Sequence, residues 1–240
     1  VQITSFNQKT AQELVEKVEK LTGQEVPVER LVIDVRNNKG GALADTLDVI
    51  DAVCPVGPIA SQKNKDGSTQ LLDTSDNNEI ALPMTVVVNA GTEGGAELFA
   101  ATLRDFGKAK IVGVTTAGKG AVQCDPIALS DGSAVSFTIG VLVTKNGSSF
   151  DGTGVKPDVE SLLTPDQEGA FYDLTLENDP QIVKAVEALT NQQTTTNTQG
   201  QEGAQSASQP TSETTQTPVS EPTSESTASS ESTAASESAA

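Results

Sequence analysis

The chain has 240 residues, a net charge of -18, two cysteines, and neither histidine nor tryptophan. Without histidine, Ser-His-Asp triads, Cys-His pairs and histidine-based zinc sites are excluded, and we expect no metal or other cofactor. Nucleic acid is also not expected as a partner, because its binding needs clustered Lys and Arg that displace counterions from phosphates. Cys54 and Cys124 do not form a CxxC motif, so two thiols and one disulfide both remain open.

Hydrophobic periodicity predicts alternating strands and helices in the first half of the chain. The chain opens on a strand-like segment, VQITSF, and we interpret this abrupt start as that of a fragment of a longer protein. The helix TAQELVEKVEKLTG follows, and then the almost wholly apolar RLVIDVR, which is typical of a strand buried on both faces. After a glycine turn come a predicted helix, ALADTLDVIDAVC, and a β-hairpin, IASQKNKDGSTQLLD, that turns at Asp66-Gly67.

The second half repeats this alternation. MTVVVN predicts another buried strand, followed by a glycine-rich turn, the helix AELFAATLRDFG and the strand KIVGV. QCDPIAL and SAVSFTIGVLVT are predicted as two strands joined at Asp131-Gly132, and DPQIVKAVEALT as the last helix. Alternating strands and helices favour a layered α/β domain with a β-hairpin extension.

Residues 191–240 differ from the rest in composition. They contain no aromatic residue, no Lys and no Arg, and consist mostly of Ser, Thr, Glu, Gln and Ala. Such a segment buries too little apolar surface to offset the entropy lost on ordering. We therefore predict a core domain at 1–190 and a disordered Ser/Thr/Glu-rich tail at 191–240, which could serve as a spacer that holds the domain off a cell surface.

The stretch GVTTAGKGA, residues 113–121, has the glycine and lysine spacing of a phosphate-binding loop, except that Gly120 replaces the Ser or Thr that binds magnesium. Such a loop must open a helix whose N-terminal amides hold the phosphates. The residues after Lys119, GAVQCDPIAL, are strand-like and contain a proline. We therefore expect no nucleotide here. A lysine in a glycine-rich loop is otherwise most often a solvated surface residue.

Five segments together resemble the catalytic core of the C-terminal processing, or tail-specific, serine peptidases. In chain order they are LVIDVRNNKGG, VVVNAGTEGGAELFAATLRDFGKAKIVG, TTAGKGAVQ, LSDGSAVSFT and DGTGVKPDVE. The resemblance covers residues 1–190 and implies a crotonase-like or ClpP-like layered α/β core, which in that family usually follows a PDZ domain. No PDZ-like segment is present in this sequence. The family also implies unstructured peptides or protein C-terminal segments as partners, and an extracytoplasmic or cell-surface location.

The family's chemistry is a Ser-Lys dyad, which needs no histidine. A lysine serves as general base only where burial or its neighbours lower its pKa. The resemblance places Lys119 at the dyad lysine and Gln123 at the glutamine that helps orient it. The turn NNKGG is similar to the family's Asn-Pro-Gly-Gly turn, with Lys39 in place of proline. An amide of Gly40 or Gly41 is therefore the expected donor to the oxyanion.

The family's nucleophile turn is similar to NAGTEGGAE, residues 89–97, with Gly94 at the serine position. The resemblance implies that the amide of Gly95 is a second oxyanion donor. Glycine has no nucleophilic atom, so no acyl-enzyme can form at Gly94, and the change of the flanking positions to Glu93 and Gly95 favours natural divergence. The resulting hypothesis is a pseudo-peptidase that binds or scaffolds peptides.

Alternatives remain open at this turn. Thr92 has its only hydroxyl, but it lies two residues before the nucleophile position and is expected to be a cap or turn residue. Glu93 could activate a water, whereas an ion pair with Lys119 would favour the charged ammonium and abolish its use as a base. The competing functions are an active serine-type endopeptidase with Lys119 as general base and a purely structural domain.

Overall fold

The computed structural model describes residues 1–76 and 78–201, with side chains up to residue 190 of the last helix. Within these described residues, fifteen α-helices and β-strands follow one another: α1 (Thr10–Thr22), β1 (Leu31–Asp34), α2 (Leu43–Asp51), β2 (Gly57–Asn64), β3 (Thr69–Ser75), β4 (Met84–Val88), α3 (Gly95–Asp105), β5 (Ala109–Gly113), β6 (Ala121–Gln123), β7 (Ile127–Ala128), β8 (Ala134–Val135), β9 (Thr138–Thr144), β10 (Val159–Glu160), α4 (Pro165–Gly169) and α5 (Pro180–Gln201). A 3₁₀ turn, Phe171–Asp173, lies between α4 and α5.

A four-stranded parallel sheet in the order β1-β4-β5-β10 forms the middle layer. All five residues of β4 are buried, as expected of a strand covered on both faces. Val86 and Val88 belong to the core that contains Leu98 of α3, whereas Val87 packs in a second cluster with Ala185 of α5. Helices therefore cover both faces of the sheet, which confirms the predicted layered α/β core.

The hairpin extension is a second, antiparallel sheet in the order β3-β2-β9-β6. The predicted hairpin at Asp66-Gly67 is confirmed as the β2–β3 pair. The prediction of two continuous strands around Asp131-Gly132 was wrong, because each divides in two and β7 and β8 pair separately. The division coincides with a register shift between Val122 and Gln123 and with Pro126, which has no amide to donate.

Three further parts of the sequence reading are corrected or extended. VQITSF is not a full strand, since it forms only isolated parallel bridges, from Gln2 to Asp34 and from Phe6 to Gly41. Strand β10, helix α4 and the 3₁₀ turn were not predicted. Helix α5 continues to Gln201, and the remainder of the predicted tail lies outside the described residues.

Two further findings concern the cysteines and the apolar character of the helices. Cys54, which is buried, and Cys124, which is half-buried, are both free thiols, so the disulfide alternative is wrong. In the described part of the chain, no helix has the length and apolar character needed to cross a membrane.

Candidate active site

Three loops meet at one edge of the parallel sheet, because each follows a strand whose carboxyl end lies there. They are residues 35–42 after β1, 89–94 after β4 and 114–120 after β5. Backbone hydrogen bonds join them. The amide of Glu93 donates to the carbonyl of Asn38 at 2.8 Å, and the amide of Ala117 donates to that of Thr92 at 3.1 Å. The structure therefore brings together the segments that sequence reasoning assigned to the oxyanion turn, the nucleophile and the lysine.

Gly94 lies at the sharp turn from β4 into α3, with φ 56° and ψ -116°. This positive-φ conformation favours glycine. A Cβ built on Gly94 would have ordinary van der Waals contacts only, 3.8 Å from the carbonyl oxygen of Lys39 and 3.9 Å from that of Lys119. Position 94, which the resemblance assigns to the nucleophile, therefore has space for a Cβ beside the backbones of Lys39 and Lys119, although its φ strains any residue other than glycine.

Thr92 is fully buried and serves the turn. Its Oγ1 donates to the carbonyl of Val35 at 2.9 Å and accepts from the amide of Asn89 at 3.0 Å. The first interaction ties the turn after β4 to the end of β1, and the second closes the turn itself. The hydroxyl is thus engaged inside the protein, as expected of a turn residue.

Glu93 lies between two lysines, and we call Lys39, Glu93 and Lys119 the charged bridge. Nζ of Lys39 is 2.5 Å from Oε1 of Glu93, and Nζ of Lys119 donates to Oε2. The lysine side chains are 65% and 63% exposed, against 16% for Glu93. Hydrogen bonds from Lys119 first and Lys39 second hold the pKa of the Glu93 carboxyl below its ordinary value. The contact is the ion pair expected from the sequence.

Gln123 lies at the end of β6, where the register shift pairs it with Thr138 of the neighbouring strand β9. Its Nε2 donates to Oγ1 of Thr138 at 2.8 Å, and its side chain is exposed. Among the hydrogen bonds of the described residues none joins Gln123 to Lys119, so a role of Gln123 in orienting the lysine stays a prediction.

The three glycines expected at the oxyanion hole differ in their amides. That of Gly40 donates to Oδ1 of Asn38 at 2.7 Å and is therefore occupied. Among the hydrogen bonds of the described residues, the amides of Gly41 and Gly95 have no acceptor. The two turns lie close together, since a Cβ on Gly40 would lie 2.9 Å from the nitrogen of Gly95. Gly41 and Gly95 are thus the amides left for a ligand.

Gly95 is packed against helix α2. A Cβ there would lie 2.4 Å from Oγ1 and 3.2 Å from Cγ2 of Thr46, which is itself buried. Any side chain at position 95, even that of alanine, therefore requires Thr46 to shift.

Sequence reasoning missed the role of Glu97, a fully buried carboxylate at the start of α3. Its Oε1 accepts from Oγ1 of Thr116 and from the amide of Gly118 at 2.6 Å. Its Oε2 accepts from the amide of Gly94 at 3.0 Å and from that of Lys119 at 2.7 Å. Glu97 therefore fixes the lysine loop against the nucleophile turn. The available signal was a glutamate three residues after the residue that precedes the helix, as in a capping box.

The site has the elements of neither a nucleotide loop nor a metal centre. Strand β6, and not a helix, follows Lys119 and Gly120, so no helical N-terminus opens behind the lysine. Within residues 1–76 and 78–201, no group of three or more acidic or cysteine side chains is placed to hold a metal ion. The chemistry on offer consists of two ammonium groups, one half-buried carboxylate and two backbone amides.

Known proteins match this chain over most of its described length. Residues 1–161 match peptidase family S41. The chain is 32% identical over 164 residues to the carboxy-terminal processing protease CtpA of Bacillus subtilis, covering 68% of this chain and 34% of that protein. It is 32% identical over 160 residues to the chloroplastic carboxyl-terminal-processing peptidase 2 of Arabidopsis thaliana, covering 66% and 30%. The chain thus spans about a third of the length of these curated relatives.

Solved structures show the same fold. The photosystem II D1 C-terminal processing protease aligns with a TM-score of 0.62 at 31% identity, covering 75% of this chain and 47% of that one. A putative S41 protease from Bacteroides fragilis aligns with a TM-score of 0.58 at 19% identity, covering 77% and 50%. These likenesses confirm the layered core expected from the resemblance.

Proposed function

Because this chain belongs to peptidase family S41, the C-terminal processing proteases, we propose that it is a tail-specific peptidase domain that binds extended peptides without hydrolysing them. The observation that carries the proposal is Gly94. It occupies the turn from which the family's nucleophile would project, and it offers no oxygen for an acyl-enzyme. Thr92, which has the nearest hydroxyl in sequence, uses that group to hold the turn.

The charged bridge supports the same conclusion for the base. A general-base lysine must present a neutral amine to the nucleophile. Lys119 instead donates a hydrogen bond to Glu93, so its ammonium group is engaged by a carboxylate. Both members of the dyad are therefore compromised, the first by the loss of its side chain and the second by an ion pair.

Strand β6 is the best candidate for holding a peptide. It begins two residues after Lys119, pairs with β9 on one side only, and is the last strand of its sheet. Ala121 and Gln123 are exposed. Extended peptides commonly bind by adding a strand to such an edge, where backbone hydrogen bonds give affinity without a strict sequence requirement. We propose unstructured segments, including protein C-termini, as the partners.

Two other functions compete with this proposal, and one further property, the location of the protein, is proposed with it. An active serine-type endopeptidase that uses Lys119 as general base, and a scaffold without affinity for peptides, are the competing functions. We also propose an extracytoplasmic or cell-surface location, which is supported by the family resemblance and by the composition of residues 191–240.

The test uses β-casein, an unstructured protein, as the probe. Fragments are sought by mass spectrometry after incubation with the natural chain, Gly94→Ser, the double variant Glu93→Ala with Gly94→Ser, and Lys119→Ala. We expect no fragments from the natural chain. The double variant should cleave more than Gly94→Ser alone, because removal of Glu93 frees Lys119.

Binding is measured in parallel by fluorescence anisotropy of labelled β-casein, with Lys65→Ala in the β2–β3 turn as the matched lysine control. Cleavage by the natural chain that Lys119→Ala abolishes would establish the active endopeptidase instead. If the natural chain produces no fragments and does not bind β-casein, the scaffold function would be favoured.

A further inference from the structure

We infer that the charged bridge, together with the amides of Gly41 and Gly95, binds a carboxylate group of the bound peptide. The inference rests on the proposed peptide-binding function and specifies the ligand chemistry of the same site. Lys39 stands where the family resemblance implies a proline, so the lysine pair is a feature of this chain.

The charge of the bridge favours a single anion. Two ammonium groups face one carboxylate, which leaves one positive charge in excess. An ammonium has three donors, and each lysine spends one on Glu93, so donors remain on both side chains. One further carboxylate would neutralise the bridge and accept from these donors.

Among the ion pairs of the described residues, Lys39 and Lys119 have no acidic partner other than Glu93. Glu97 is buried and already accepts from four donors. Asp151 accepts from the amide of Gly120 at 3.0 Å, on the loop that holds Lys119. The chain as a whole has a net charge of -18, so the positive charge in excess on the bridge is a local feature.

The backbone amides of Gly41 and Gly95 indicate where the carboxylate would bind. These amides have no acceptor among the described residues, and their two turns lie in contact. Backbone amides and ammonium groups are the donors that form charge-assisted hydrogen bonds with carboxylates. The carboxylate could come from the C-terminus of the peptide or from an Asp or Glu side chain, and both sources share this chemistry.

The first experiment tests the carboxylate alone. Amide chemical shifts of Gly41 and Gly95 are followed by NMR while N-acetylalanine or N-acetylalanine amide is added to the full chain. We expect shifts with the acid only, and weaker binding of the acid in Lys39→Gln and in Lys119→Gln, with Lys65→Gln unchanged. Equal shifts with both compounds, or none with the acid, would overturn the inference.

The second experiment distinguishes the two possible sources of the carboxylate. It also distinguishes the proposal of peptide binding from the proposal of a carboxylate site. A labelled decapeptide of alternating valine and serine is compared as the free acid, as the amide, and as the amide with one internal glutamate. We expect the free acid to bind about tenfold more tightly than the amide, the size expected for exposed charge-assisted hydrogen bonds. A gain for the glutamate peptide alone would assign the side-chain source and still support the carboxylate site.

Failure of each proposal is distinguishable. Equal affinity for the free acid and both amides would overturn the carboxylate site and leave peptide binding standing. If no peptide binds but N-acetylalanine shifts Gly41 and Gly95, peptide binding fails and the carboxylate site stands.

Discussion

Replacing Glu97 by glutamine should destabilise the protein strongly, although the two side chains have the same shape. The carboxylate accepts two hydrogen bonds on each oxygen, and glutamine keeps only one oxygen. With its NH₂ group toward the amides of Gly94 and Lys119, glutamine would lose two hydrogen bonds; toward Gly118 it would lose one, because the Thr116 hydroxyl can turn to accept from it. Hydrogen bonds to a charged group are worth about 1.5–3 kcal/mol each, so the loss in the free energy of unfolding should be about 1.5–6 kcal/mol.

The measurement is urea-induced unfolding followed by far-UV circular dichroism, because the chain has no tryptophan and one tyrosine for fluorescence. Glu93→Gln is the matched control, since Glu93 contacts only the exposed lysines of the charged bridge in its side-chain hydrogen bonds. It should cost much less. A loss below about 1 kcal/mol for Glu97→Gln, or one no larger than that of the control, would refute the argument that Glu97 holds the loops together.

Three further outcomes are expected. Gly95→Ala should lower the free energy of unfolding by about 1–3 kcal/mol, because the new Cβ would clash with Thr46 Oγ1. In a double-mutant cycle Thr46→Ala should restore most of that loss, and free-energy changes of the two substitutions that simply add would contradict the clash. Because the pKa of Glu93 is lowered, the ion pair stabilises the protein above the ordinary glutamate pKa, and this contribution is lost as the pH falls through the lowered value. Lys119→Gln should raise the titration midpoint of the Glu93 carboxyl, measured by carbon-detected NMR, and an unchanged midpoint would count against the ion pair. Burial raises the pKa of Cys54 to about 12, so iodoacetamide at pH 8 should label this thiol only after the protein is unfolded in urea. Mass spectrometry measures the labelling, and an equal labelling rate in the native protein would be inconsistent with that burial.

The fold was predictable where one face or both faces of an element are apolar over several residues. Strand β4 and helix α3 were found for this reason, and their bounds differ from the sequence reading by one or two residues. Strand β10 has two residues and α4 has five, too few for a period to be read. The division between β6 and β7 has a local cause in Pro126, which the sequence reading did not use.

The site was predictable to the extent that it depends on strand order. Parallel strands place their following loops at one edge, so Glu93 and Lys119 could be expected to meet. The position of Gln123 depends on a register shift that no local pattern reveals. The role of Glu97 was hidden because two of its donors come from the amides of Gly118 and Lys119, whose distance from α3 only the fold determines.

The packing of Gly95 on Thr46 constrains the order in which this site could evolve. Serine at position 94 alone would face a lysine already engaged by Glu93, and alanine at position 95 would collide with a helix from a distant part of the chain. Alanine at position 95 would lower the stability of the protein until Thr46 is replaced by a smaller residue. Efficient hydrolysis therefore depends on changes at more than one position, and serine at position 94 alone would restore only part of it.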